Sequence, residues 1–288
     1  MKQVILNADD FGLTRGINEG IIRSHREGIL TSATLMANGP AFDDAVGRAK
    51  ANSELGIGCH LVLTGGISVA PPEKIPSLAT SDGRLPETLA AFVARASSGG
   101  IRTTDIETEL RAQIGKIRQA GIEPTHVDTH KHTHVHPRVM GVVARVAHDL
   151  GITRIRNPVE SLADSWRSTR RDSAIRIKDL AASAAVLSVG WNFRTISAKY
   201  NLHYPEHFLG LAATGRLNAT ALCELIDTLP HGCTEIMLHP GICDADLART
   251  GSRLQQQRQI EMEALLSPEA KRALGDHGVC RITFRELS

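Results

Sequence analysis

The chain has 288 residues, and 33 Lys+Arg against 31 Asp+Glu leave a formal charge of +2. That balance argues against a nucleic-acid-binding surface, which needs a basic excess or stripe, and no run of about 18 apolar residues offers a membrane span. Five Cys without a C-x-x-C pair suit reduced thiols in a cytoplasmic protein, and the opening MKQVILNADD meets two acids too early for a secretory signal.

In chain order, Val4-Ile5-Leu6 reads as a strand, after which Thr14 caps a helix carrying Ile17, Ile21 and Ile22 that stops near Gly28. Ser32 to Met36 is a second strand, followed by a helix through Phe42, Ala45 and Val46, and Ile57 to Leu63 is a third. Thr104-Asp105-Ile106-Glu107 has capping-box spacing and opens a helix carrying Ile106, Leu110, Ile114 and Ile117. Strand-like Thr125–Asp128 precedes a helix running from Pro137 to Gly151. Ile152–Ile155, Glu235–Leu238 and Val279–Phe284 are the remaining strand candidates. Strands alternating with helices imply parallel βαβ units, and about seven strands fit an open doubly wound sheet or a (β/α) barrel. With no internal repeat, residues 1–288 read as a single domain with loop insertions at about 65–104 and 157–217. The first insertion is expected to lie over the active face with one helix, and the second to contain a helix at Ile175–Leu187.

The polar clusters follow the predicted strands. Asn7, Asp9 and Asp10 come after Val4–Leu6, His60 lies in Ile57–Leu63, Asp128 and His130 end the next strand, and His239 follows Glu235–Leu238. In α/β folds the C-terminal strand ends are where active sites assemble. Adjacent carboxylates such as Asp9-Asp10 suit two jobs, one on a metal and one as general base, because a nearby cation relieves their repulsion. Five of the 13 His fall between positions 126 and 136. If Thr125 to His136 were extended, His126, Asp128, His130, His132 and His134 would share a face. Not all can reach one ion, and the later histidines belong to the loop before Pro137. His203-Tyr204-Pro205-Glu206-His207 matches H-x-x-E-H formally, but Pro205 breaks the helix that motif requires.

The ordered set Asn7-Ala8-Asp9-Asp10-Phe11-Gly12, Gly56-Ile57-Gly58-Cys59-His60-Leu61, Pro124 to His132 and His239-Pro240-Gly241 resembles the YdjC-like carbohydrate deacetylases. The resemblance implies a deformed, TIM-like (β/α) barrel with one divalent metal held by Asp10, His60 and His130. It makes Asp9 the general base, and His239 is the candidate general acid. Imidazole-rich ligation favours zinc, with magnesium the alternative. His207 to Leu217 is similar to the branch associated with hopanoid biosynthesis, which implies removal of acetyl from an N-acetylglucosamine carried on a hopanoid lipid. Free chito-oligosaccharides are the alternative substrate. Asn38, His132, Arg156, Leu187 and Trp191 are expected to face the substrate. The uncharged stretch Leu180–Trp191 would line a groove for the lipid or rest on the inner face of the membrane. Peripheral membrane contact and a homodimer are accordingly further expectations.

Two other classes compete. A metal-dependent sugar isomerase or aldolase would want more carboxylate ligands or a Schiff-base lysine, for which Lys199 is the nearest candidate. A non-catalytic metal-binding protein would use the His-rich stretch without needing Asp9.

Overall fold

The computed structural model describes residues 1–161 and 190–287. The helix expected at Ile175–Leu187, and Leu187 itself, lie outside the described residues. Among the described residues seven parallel strands form one sheet: β1 (Lys2–Phe11), β2 (Ser32–Leu35), β3 (Gly56–Leu61), β4 (Val127–Thr129), β5 (His207–Leu209), β6 (Gly232–Leu238) and β7 (Val279–Arg281). Their order is β4-β3-β2-β1-β6-β5, with β7 paired to the start of β1. The sheet curls into a half-barrel surrounded by helices, the deformed TIM-like form expected from the sequence. Isolated parallel bridges, Val127↔Ile155 and Arg154↔His203, continue from β4. Ile152–Ile155, expected as a strand, therefore contributes bridges and no ladder. β5 was not foreseen: it lies inside the stretch taken as the second insertion, and three residues are too few to show a period.

Helices α1 (Arg15–Arg26), α2 (Phe42–Lys50), α3 (Leu89–Ser97), α4 (Thr103–Gln119) and α5 (Pro137–Asp149) supply the crossovers of the first half. Thr14 caps α1 as expected, accepting from Ile17 N–H at 3.1 Å. The expected capping box at Thr104 does not form. α4 starts two residues earlier than a Thr104 cap implies, at Thr103 with Arg102 as its N-cap, and Asp105 accepts from the backbone N–H and hydroxyl of Ser77 at 2.9 and 2.8 Å. Glu107, the acid such a box requires, accepts instead from Arg111 and Arg145 at 2.9 and 2.6 Å.

β1 runs well past Leu6. Asn7 and Asp9 interrupt the apolar pattern, yet β1 stays paired with β6 up to Ala8↔Leu238. At the opposite end, Ile5, Cys233, Ile282, Phe284 and Leu287 form a separate apolar cluster. His126 stacks on Phe284 there, with ring centroids 3.5 Å apart and planes at 11°. An α/β barrel thus has a sealed N-terminal end and a polar C-terminal one. Among the described residues no helix is long and apolar enough to cross a membrane.

Candidate metal centre and active site

Three strands deliver the central cluster. In β1 the pairing with β2 slips between Ala8 and Phe11, and Asp10 takes a left-handed φ of 65°. Neighbouring strand residues normally point to opposite faces, whereas this irregularity lets Asp9 and Asp10 serve one site. Such strain in a non-glycine residue costs about 1–3 kcal/mol and concentrates at functional sites. β3 contributes His60, and His130 follows β4 directly. The chain then enters a 3-10 turn, His130–Val135, in which Lys131 and His132 are left-handed (φ 54° and 51°). Thr129 Oγ1 anchors that turn: it accepts from His134 N–H at 3.1 Å and lies 2.6 Å from His134 Nδ1. The strict alternation of the sequence therefore ends at His130.

Asp10, His60 and His130 offer ligand atoms that all lie within 4.8 Å of one another. Asp10 Oδ1 lies 3.6 Å from His60 Nε2 and 3.3 Å from His130 Nδ1, and the two ring nitrogens are 3.3 Å apart. Asp10 Oδ1 is buried without a hydrogen-bond partner. Its sister oxygen accepts from Arg258 at 2.6 Å. On the far side of His60, Nδ1 meets Asp128 Oδ1 at 2.8 Å. That bond places the proton on Nδ1 and turns the Nε2 lone pair toward Asp10, the carboxylate–histidine arrangement of metal sites.

The electrostatics agree. Burial pushes His60 down, but Asp128, Asp9 and Asp10 carry it up to about 9. Burial acts to raise Asp10, and Arg258 and His130 nonetheless hold it well below the usual carboxylate range. Two imidazoles and an orphaned carboxylate oxygen in a field that attracts positive charge fit one divalent cation.

Asp9 stands beside this cluster without being free to join it. Arg156 grips it through both oxygens, at 2.8 and 2.6 Å, and Asn7 donates at 3.2 Å. Burial acts to raise Asp9, but Arg156 and then His60 outweigh it and keep Asp9 ionised. His239 Nε2 lies 4.0 Å from Asp9 Oδ2. Burial lowers His239 to about 4 against the opposing pull of Asp9 and Asp10, so its ring is neutral near pH 7.

Arg156, expected to face substrate, has other work. It is fully buried and paired with Asp9, Asp128 and Glu235 at 2.6, 2.7 and 2.7 Å. A guanidinium shared by three carboxylates has few donors left for a ligand. Asn38 is half-buried and donates to Ile67 O at 3.1 Å, linking the β2 exit to the 65–104 stretch. His132 packs edge-on against Phe208, 5.8 Å between centroids, with burial and Arg156 holding its pKa well below the usual imidazole range. Trp191 is 80% exposed at the start of helical residues 190–199. Lys199 stands over the ring of Tyr200, 5.3 Å from its centroid.

Two residues of the site gave no sequence signal. Arg258 and Glu261 share the helix Gln256–Leu266, where charged residues read as a solvated face, yet both are about fully buried, at 2% and 1% exposure. Glu261 accepts from His239 N–H at 2.6 Å and from Gly215 N–H at 3.1 Å. Only their contacts with residues distant in sequence reveal them.

Comparisons with known proteins converge. The family described as YdjC-like protein matches residues 3–276. A carbohydrate deacetylase of Geobacillus stearothermophilus is 36% identical over 287 residues, covering 99% of this chain and 98% of the relative. One from Brevibacillus brevis is 32% identical over 285 residues, with 99% of each covered. Among solved structures, an Enterococcus faecalis protein described as a candidate for cellobiose-phosphate cleavage is 26% identical, with a TM-score of 0.78 over 98% of this chain and 97% of that one.

Proposed function

The chain belongs to the YdjC-like protein family, and on that premise we propose that it is a carbohydrate deacetylase using one divalent ion to remove acetyl from an N-acetylated sugar. The observation that carries this reading is the convergence of Asp10 Oδ1, His60 Nε2 and His130 Nδ1 beside an Asp9 that is held apart on Arg156. Asp10, His60 and His130 hold the ion. When bound, it supplies an activated water and a countercharge for the oxyanion of the acetyl carbonyl. The donor set of two imidazoles and one carboxylate favours zinc over magnesium.

Asp9 takes the proton of the attacking water, and its fixed geometry on Arg156 aims it. A neutral His239 has no proton to give at the outset. It becomes the acid by receiving that proton, and it delivers the proton to the sugar nitrogen as the C–N bond breaks, releasing acetate and a free amine.

The finer reading is that the sugar is N-acetylglucosamine on a hopanoid lipid, with chito-oligosaccharides as the alternative. The resemblance of His207 to Leu217 supports it, as does the exposed Trp191 as a lipid-facing side chain. The test is mass spectrometry of N-acetylated glycosides incubated with zinc-loaded protein, seeking loss of one acetyl and gain of an amine. No turnover on any N-acetyl sugar would sink the deacetylase reading. Equal efficiency on chito-oligosaccharide and on N-acetylglucosaminyl hopanoid in matched detergent would sink only the lipid assignment.

A further inference from the structure

The helix Gln256–Leu266 reaches the site twice, three residues apart on one face. Arg258 holds Asp10 Oδ2 at 2.6 Å, and Glu261 holds His239 through its backbone N–H at 2.6 Å. Glu261 also has a second grip. Its other oxygen accepts from Gly215 N–H at 3.1 Å, in the segment that leads away from β5. Gly215 suits this approach: its φ is 76°, and a Cβ there would stand 2.8 Å from Leu254 Cδ2. The same segment is fixed at its start, where Gly210 (φ 108°) passes so near Met237 that a Cβ would meet its carbonyl oxygen at 2.5 Å. One buried carboxylate thus joins the end of β6 to the segment after β5.

We propose that Glu261 is a positioning residue that ties His239 to the Gly210–Leu217 segment, so that the reach of the proton-carrying imidazole is set by one side chain anchored on that segment. The proposal rests on the deacetylase reading for the role of His239, and on geometry alone for the tie. Burial lifts Glu261 to about 7 while the His239 and Gly215 N–H groups pull it down, and its carboxylate form accepts both N–H groups, one per oxygen. Glutamine presents an NH2 to one of the two donors, so only one bond survives. Aspartate keeps the charge but is one methylene short of spanning both. In either variant His239 keeps its identity and loses its fixed reach.

The experiment compares zinc-loaded wild type, Glu261→Gln and Glu261→Asp on N,N′-diacetylchitobiose, with metal content and melting temperature measured on the same samples. The 15N resonances of the His239 ring, assigned by their loss in His239→Asn, are followed while the disaccharide is titrated in. Both variants should lose about 10–100-fold in kcat, with KM changing less than about threefold and the metal retained. In wild type the sugar should shift the His239 resonances, and in the variants that response should be lost. Wild-type kcat and an unchanged resonance response in Glu261→Gln would overturn the proposal. Loss of kcat only in step with metal and melting temperature would overturn it too, by reducing Glu261 to a fold residue. If wild type deacetylates no sugar, the deacetylase reading fails, and the starting resonances of His239 in the variants still decide the tie.

Discussion

His126 and His130 flank β4, four residues apart, at opposite ends of the same barrel. His126 is fully buried against Phe284, its Nδ1 2.9 Å from Thr125 Oγ1, and burial followed by the charge of Arg156 drives its pKa well below the usual range. His130 faces Asp10 and His60 at 3.3 Å each. The residue type is the same, and so is the parity along the strand. What differs is the surroundings: burial in an apolar plug and the charge of Arg156 outweigh the pull of Asp9 and keep one histidine a neutral packing group, while a carboxylate oxygen with no hydrogen-bond partner faces the other and makes it a candidate ligand. Between them Arg156, Asp128 and Glu235 form a buried ionic layer, in which burial lifts Glu235 to about 7 despite Arg156.

The largest effects should separate the two ends directly. Asp10→Ala, His60→Ala and His130→Ala should each lose bound metal and at least about 10³-fold in turnover, because an ion held there would contribute several kcal/mol to the transition state. His126→Ala should keep its metal at the wild-type level. Asp9→Asn is the sharper case, expected to retain metal while losing about 10²–10⁴-fold in rate. Metal analysis beside deacetylation rates decides among these, and near-full activity in Asp9→Asn would remove Asp9 as the base.

The ionic layer comes next. Arg156→Met leaves three carboxylates buried without their shared cation, and denaturant unfolding should show a loss of about 3–5 kcal/mol. A loss below about 1 kcal/mol would mean that water or protonation already compensates the layer. At the plugged end, a methyl on Gly58 would run into the His126 ring. Gly58→Ala should therefore cost about 1–3 kcal/mol while metal content stays at wild type, although Gly58 is only two residues from His60.

The smallest effect is a pH dependence. In the apoprotein the folded state raises His60 from 6.5 to about 9. The proton it carries contributes stability that is fully present below pH 6.5 and is lost as the pH rises through about 9. A metal ion must displace that proton. Apparent affinity should therefore fall by up to about tenfold for each pH unit below 9, or ~1.4 kcal/mol. Calorimetric titrations in buffers of different ionisation enthalpy should register about one proton released per ion near pH 7.5. No release would place the ion elsewhere than on His60.

By itself the sequence determined the alternation of strands and helices, the C-terminal strand ends as the polar edge, and the cluster Asp9, Asp10, His60, His130 and His239. These are readable because apolar runs, caps and turn residues act over a few positions, and because strands in parallel order carry their ends to one edge whatever their exact register. Tertiary structure alone decided which oxygen of Asp10 is left unpartnered, that Arg156 holds Asp9 in place of a ligand, and that Arg258 and Glu261 enter the site from a helix 248 residues from Asp10 in one case and 22 from His239 in the other. It also decided that the alternating histidines diverge, since the left-handed pair Lys131-His132 and the Thr129 clamp turn the chain at His130. Burial and countercharge belong to the folded chain: a histidine or a glutamate acquires its charge state from neighbours that local sequence does not name.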